Sequence, residues 1–145
     1  MEIRAIVHQD LKSISQLYIS VFSNSPWNEH WEYTSAYERL NWVFQSQGFR
    51  GFIAIDKDRT IGAILGRFVP FEGKKGFEIV EFLVDAGDRE QGLGTKLLLE
   101  LETELKQNQY NFIVLLTSKD TGAESFYLKR SYQRDDKLVL LRKKI

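Results

Sequence analysis

The chain has no cysteine, which excludes disulfide scaffolds, thiolate zinc sites and cysteine nucleophiles. Histidine is almost as scarce. His8 and His30 are the only two, too few to build a histidine metal cluster, and no metal is expected. Prolines are limited to Pro26 and Pro70, and neither interrupts a periodic segment. No tract rich in Pro, Gly or Ser reads as a linker. Net charge is missing as well, because 20 Lys and Arg balance 20 Asp and Glu. Such a chain lacks the field that holds a nucleic-acid backbone or an anionic membrane, so neither partner is expected. No apolar run nears the ~20 residues that span a bilayer. The opening MEIRAIVHQD has the pattern of neither a secretory signal nor a transit peptide, and a cytoplasmic location is the expectation.

What remains is an ordinary globular composition, 43% hydrophobic and 28% charged over 145 residues. It fits one domain spanning residues 1–145. A short strand is expected around residues 3–7. Asp10 then reads as the N-cap of a helix carried by Leu11, Ile14, Leu17, Tyr18, Val21 and Phe22. The Asn, Ser and Pro content of SNSPWNEHWEY marks a loop. A second helix starts at Thr34 or Ser35 and carries Tyr37, Leu40, Val43 and Phe44. FRGFIAI and TIGAILGRFVPF read as strands joined across DKDR, and EGKKG leads into a further strand, FEIVEFLV. A helix with Leu97, Leu98, Leu101 and Leu105 on one side follows, then a buried strand NFIVLLT, a short helix DTGAESFYLKR and a last strand KLVLLRKKI. The order β-α-α-β-β-β-α-β-α-β implies an α/β fold. Its sheet should be mixed, mostly antiparallel and six- to seven-stranded, with one parallel β-α-β pair and about four helices over both faces.

REQGLG, residues 89–94, lies where a strand gives way to a helix. A dinucleotide fingerprint would need a third glycine where Leu97 stands. Gly87 and Gly92 have P-loop spacing, but Leu93 and Gly94 occupy the places of the lysine and hydroxyl residue. Arg-x-x-Gly-x-Gly fits throughout. Helix-opening N–H groups have no intrahelical acceptors, and the helix dipole adds positive charge there. A phosphate or pyrophosphate can use those donors where no Cβ blocks its approach. Gly92 and Gly94 remove that obstruction, and Arg89 adds a cationic donor. Asp88 and Glu90 bring negative charge close, so the backbone must do most of the binding. The plain alternative is a tight turn that binds nothing.

Two motifs in register with this element order resemble the GNAT superfamily, the Gcn5-related N-acetyltransferases. The first is Phe82-Leu83-Val84, the loop DAGD, then Arg89-Glu90-Gln91-Gly92-Leu93-Gly94. The second is the segment Asp120-Thr121-Gly122-Ala123-Glu124-Ser125-Phe126-Tyr127-Leu128-Lys129-Arg130-Ser131-Tyr132, similar to the family's Asn-x-x-Ala-x-x-Phe-Tyr-x-Lys-x-Gly-Phe/Tyr. Motif-level similarity covers residues 78–132. Asp120 replaces the usual Asn and loses its amide donor. Ser131 replaces a glycine and carries a steric cost if its backbone is left-handed. The resemblance implies a GNAT-type fold and acetyl-CoA as co-substrate. It places the pyrophosphate on the loop of Arg89, Glu90, Gln91, Gly92, Leu93, Gly94 and Thr95. It sets the pantetheine arm beside Phe82, Leu83 and Val84, with Asp120 and Tyr127 also at the cofactor. Many relatives are dimers, so a homodimer is compatible with it.

The implied activity is acetyl transfer from the thioester to a primary amine. Tyr127 matches the family's general acid, protonated at neutral pH; the bland role is packing beside Phe126. Glu81 and Glu78 are candidates for the base and the acceptor side. On a regular strand they face opposite sides, so only one can face a given side of the sheet, and a bulge would change which. Glu81 is ranked first for its nearness to the thioester, against an ordinary ion pair as the alternative. Trp27, Trp31 and Tyr33 are candidate acceptor-binding aromatics, with Glu29 or Glu32 to attract a cationic amine; the alternative is that these rings cap the core. A small amine is the leading acceptor. A peptide N-terminus or lysine, a non-catalytic acyl-CoA-binding module and a nucleotide phosphate-binding protein are the competing readings.

Overall fold

The structure, a computed structural model, describes residues 1–145 apart from the side chain of Glu90. Its elements in order are β1 (Glu2–Ala5), α1 (Leu11–Phe22), α2 (Tyr33–Phe44), β2 (Arg50–Asp56), β3 (Arg59–Phe71), β4 (Lys74–Val84), α3 (Leu93–Gln107), β5 (Phe112–Leu115) and α4 (Gly122–Leu128). Short 3-10 turns at His8–Asp10 and Ala86–Gln91 lead into α1 and α3. The chain forms two compact units, Met1–Leu115 and Leu116–Ile145.

In the first unit a five-stranded sheet runs in chain order, β1-β2-β3-β4-β5. Its first three pairings are antiparallel and the fourth is parallel. Strand alternation sends one set of side chains to each face. Ile53, Ala63, Leu65 and Leu83 join Leu11, Ile14, Tyr18, Leu40 and Val43 in one core under α1 and α2. The opposite face meets α3, where a Cβ at Gly62 would touch Leu97 and Leu93. Leu93, Leu97, Leu98, Leu101 and Leu105 recur at helical spacing and are all buried, so helices cover both faces as expected.

Several expectations are corrected. The sheet has five strands among the described residues rather than six to seven. The segment expected as a last strand, residues 137–145, forms no strand, and its apolar side chains are exposed. Its Leu-Val-Leu-Leu run favours extended backbone, but that preference is realised only against a neighbouring strand. Asp10 precedes α1 as expected, yet its side chain makes no cap bond. Both carboxylate oxygens accept instead from Arg4 at 2.8 Å, and Oδ2 also accepts from the Val7 N–H. A charged partner wins over a neutral amide.

In the second unit, the Thr121 hydroxyl caps α4 by accepting from the Glu124 N–H. Glu124 in turn accepts from the Asp120 N–H at 2.7 Å, and its carboxylate pairs with both Arg134 Nε and Nη2. Ser131 has φ +71°, so the condition for a steric cost at that position is met.

Candidate active site

The candidate site in the first unit begins with an irregularity in β4. Leu65 pairs with Glu81, but the next residue, Gly66, pairs with Ile79. Val80 is therefore an extra residue, a β-bulge. Only glycine suits position 66, because a Cβ there would lie 1.9 Å from the Glu78 carbonyl oxygen and 2.7 Å from the Phe77 ring. One added residue reverses the alternation, so Glu78 and Glu81 share the face that α1 and α2 cover. The expectation that only one of the two can face a given side of the sheet is thereby corrected.

Glu81 is 8% exposed, and its Oε1 accepts from the Tyr18 hydroxyl at 3.0 Å and from Arg39 Nε at 2.9 Å. Among the described residues both bonds go to Oε1. Burial holds the Glu81 carboxyl above the usual carboxylate range, against the opposing pull of Arg39 and Tyr18. Burial likewise pushes the Tyr18 phenol up, and the neighbouring Glu81 charge adds to this. The expected ion-pair partner of Glu81 is thus Arg39, supplied by α2. Glu78 pairs directly with Arg67 at 3.0 Å. Trp42 links the two ion pairs, its ring 5.1 Å from the Arg39 guanidinium and 4.7 Å from that of Arg67.

The ladder between β4 and β5 runs from Gly76 with Phe112 to Ile79 with Leu115 and ends at the bulge. β4 continues past that point through Phe82, Leu83 and Val84, which keep their pairing with Ile64, Ala63 and Gly62 of β3. The Asp85 N–H then bonds to the Ile61 carbonyl at 2.8 Å, anchoring the chain before it turns. Gly92 follows the 3-10 turn with φ +76°, as the N-cap of α3. That left-handed value is what glycine supplies there, and among the described residues, its two chain neighbours aside, no atom lies within 4 Å of where its Cβ would be. Leu93 and Gly94 open the helix, where N–H groups lack intrahelical acceptors. Gln91 is exposed. Glu90, counted with this loop, has its side chain outside the described residues.

The acidic character of the loop is offset by Arg59, which pairs with Asp85 at 3.2 Å and Asp88 at 3.5 Å. Arg89 is exposed, donates through Nε to the Val84 carbonyl at 3.2 Å, and sits 5.3 Å from the Trp27 ring. The glycine loop therefore touches the loop after α1. Trp27 packs on Phe22, Phe22 on Tyr18, and Tyr18 on Trp31, with centroid separations of 5.2, 4.6 and 5.0 Å. Trp27 and Trp31 cover the core and at the same time form a wall leading to the Tyr18–Glu81 bond. Glu29 accepts from the Trp31 indole at 2.7 Å, beside an opening of about 310 Å³ also lined by His30 and Ser35. Tyr33 is not part of this wall; it packs on Tyr37, which neighbours His8.

In the second unit Asp120, at φ +60°, accepts from Arg134 at 2.6 Å, so the charge it adds in place of Asn is offset. Tyr127 lies on α4 with rings of Phe126 and Tyr132 each 5.4 Å away. Among the described residues no group of three or more His, Cys, Asp or Glu side chains is disposed to hold a metal ion. No described helix is long and apolar enough to cross a membrane.

No curated protein matches the chain. Solved structures do. An aminoglycoside acetyltransferase, meta-AAC0020 from an uncultured soil metagenomic sample in complex with sisomicin, has a TM-score of 0.76 at 19% identity, over 99% of this chain and 95% of that one. A transcriptional regulator from Bacillus halodurans C-125 has a TM-score of 0.78 at 17% identity, over 98% and 99%. The aminoglycoside N-acetyltransferase AAC(6')-Iy in complex with CoA has a TM-score of 0.77 at 14% identity, over 99% and 95%. At such identities the likeness is one of fold. The model of the acetyltransferase (GNAT) family matches residues 11–132, across the bulged strand, the glycine loop and α4 alike, and the chain belongs to that family.

Proposed function

We infer that the chain, acting as one acetyltransferase domain over residues 1–145, moves an acetyl group from acetyl-CoA to the primary amine of a small molecule. The observation that carries this reading is the turn at Gly92. It opens α3 directly after the bulged β4 and leaves the space above its own backbone clear of protein. The backbone donors from Gln91 to Thr95, with Arg89, are suited to the pyrophosphate. Main-chain groups of Phe82, Leu83 and Val84 suit the amides of the pantetheine arm, as an added strand would.

In the proposed reaction the amine nitrogen attacks the thioester carbonyl carbon, and the carbon–sulfur bond breaks. A backbone N–H near Leu83 or Val84 stabilises the developing oxyanion. Tyr127 gives its phenolic proton to the leaving thiolate. Glu81 receives the amine proton through Oε2, directly or across one water, while Arg39 and Tyr18 hold Oε1. Glu29, Trp27 and Trp31 form the acceptor side, and a carboxylate among indoles suits an ammonium. Glu78, on the same face, is assigned to the acceptor side together with its partner Arg67. The aminoglycoside complex among the structural neighbours is in keeping with a small acceptor.

The direct test is thiol release from acetyl-CoA across a panel of amines, with peptides bearing a free N-terminus or lysine in parallel. Turnover with small amines alone supports the reading. Turnover with peptides alone overturns the acceptor, and binding of acetyl-CoA without turnover of any amine overturns the enzyme.

A further inference from the structure

Three groups on the face under α1 and α2 take no part in the proton transfers: Glu78 of β4, Arg67 of β3 and Trp42 of α2. Arg67 donates through Nε to Glu78 at 3.0 Å, and the Trp42 ring links Arg67 to Arg39. All belong to Met1–Leu115, so these contacts are set within one compact unit. Nothing described in that unit covers Trp42, of which 45% is exposed. An indole that served only to fill the core would be better buried. Its ring instead holds two guanidiniums, each within the ~6 Å at which an indole attracts a cation. Both cations therefore have fixed places beside the carboxylate assigned to the amine proton.

Arginine carries five N–H donors in a planar fork. Glu78 takes the one at Nε of Arg67, and among the described residues the others meet no protein acceptor. They are suited to a carboxylate, which such a fork binds through two parallel bonds. The charges also sort by end. Glu29 is close enough for its charge to act on Glu81, so the end formed by these two favours an ammonium. At the other end Arg39 and Arg67 flank Trp42, where a second ammonium would be repelled and an anion held. The Glu78 charge that Arg67 already meets disfavours a dianion such as phosphate, which leaves a monoanion as the guest.

We propose that the acceptor is a small zwitterion, an amine whose molecule also carries a carboxylate, and that Arg67 fixes this carboxylate while the amine faces Glu81. Trp42 is the positioning residue that keeps the Arg67 guanidinium in place. The proposal rests on the acetyltransferase reading and narrows its acceptor class. Arg67 sets specificity and takes no part in the bond changes.

The test uses the full chain with acetyl-CoA and matched amines. Glycine, β-alanine and 4-aminobutyrate are each compared with their own carboxamides, O-phosphoethanolamine is compared with ethanolamine, and putrescine is run beside them. At least one acid should exceed its amide in kcat/KM by about 10-fold or more, the weight of a hydrogen bond to a charged group. Arg67→Gln should erase that ratio through a higher KM for the acid. Arg67→Lys should keep part of it, a rescue that a merely structural role would not give. Because Arg67→Gln strips Glu78 of its partner, the double variant Arg67→Gln, Glu78→Gln should show the same loss. Amides or putrescine turned over as well as the acids overturn the zwitterion and leave acetyl transfer standing. A preference confined to O-phosphoethanolamine overturns the carboxylate, and an acid preference that survives both variants overturns the role of Arg67. No turnover of any amine overturns the acetyltransferase reading and this proposal with it.

Discussion

Tyr127 and Glu81 are asked to move protons in opposite directions, and each role has its own signature. Replacing Tyr127 with Phe deletes only the hydroxyl, so kcat should fall by about 10²-fold or more while the affinity for acetyl-CoA is kept. Unchanged kcat would return Tyr127 to a packing role. Glu81 must be ionised to accept a proton, so turnover should fall as pH drops through its pKa. Burial raises that value and Arg39 lowers it. The acid limb of kcat against pH should therefore lie above the ordinary carboxylate range of about 4.3. In Arg39→Ala the limb should move to still higher pH, because the opposing pull is gone. Glu81→Gln should lose it altogether. A limb that survives in Glu81→Gln assigns the proton to another group, and Glu81 would then be only the buried partner of Arg39.

At the scale of elements, the bulge in β4 is the feature on which the site geometry rests. Gly66→Ala would press a methyl group into the Glu78 carbonyl, so it should cost about 1–3 kcal/mol in urea unfolding and disturb both ion pairs on that face. A substitution without effect on the denaturation midpoint would show that the strand tolerates another register. Gly92→Ala meets no such wall. Its cost is conformational, about 1–2 kcal/mol for a left-handed residue with a Cβ, and it should weaken acetyl-CoA binding as well. The root of α4 is weakened by acid. Arg134 beside Glu124 pulls its carboxyl down to about 2 from an ordinary 4.5. A group lowered on folding stabilises fully above its unfolded pKa, and the contribution disappears as pH falls toward the folded one. Amide resonances of α4 should therefore weaken progressively between about pH 4.5 and pH 2, and Arg134→Ala should reduce that dependence, leaving the part due to the Asp120 N–H.

For the molecule as a whole, binding to the folded state alone must raise stability. At a free concentration one hundred times the dissociation constant, acetyl-CoA should add about 2.7 kcal/mol, read as a rise in Tm. ATP presents phosphates without a pantetheine arm and should give no comparable rise. An equal response to both would favour the nucleotide-binding reading.

The features legible in the sequence were local ones. Apolar spacing marked the helices, and the change to strand-like runs marked the sheet. Arg89, Gly92 and Gly94 marked the helix opening because such a turn is encoded within six neighbouring residues. The left-handed backbone at Ser131 was raised only as a condition, by comparison with the family's glycine at that place. Tertiary structure decided what depends on distant partners. Tyr18 and Arg39 reach Glu81 from 63 and 42 residues away, and Arg59 reaches Asp85 from 26, separations at which no periodicity announces a contact. The bulge that puts Glu78 beside Glu81 on one face arises from pairing with β3, and no pattern within β4 contains it. The missing last strand has the same cause. Extended backbone needs a neighbour to bond with, and the apolar spelling of residues 137–145 states the need without naming the neighbour.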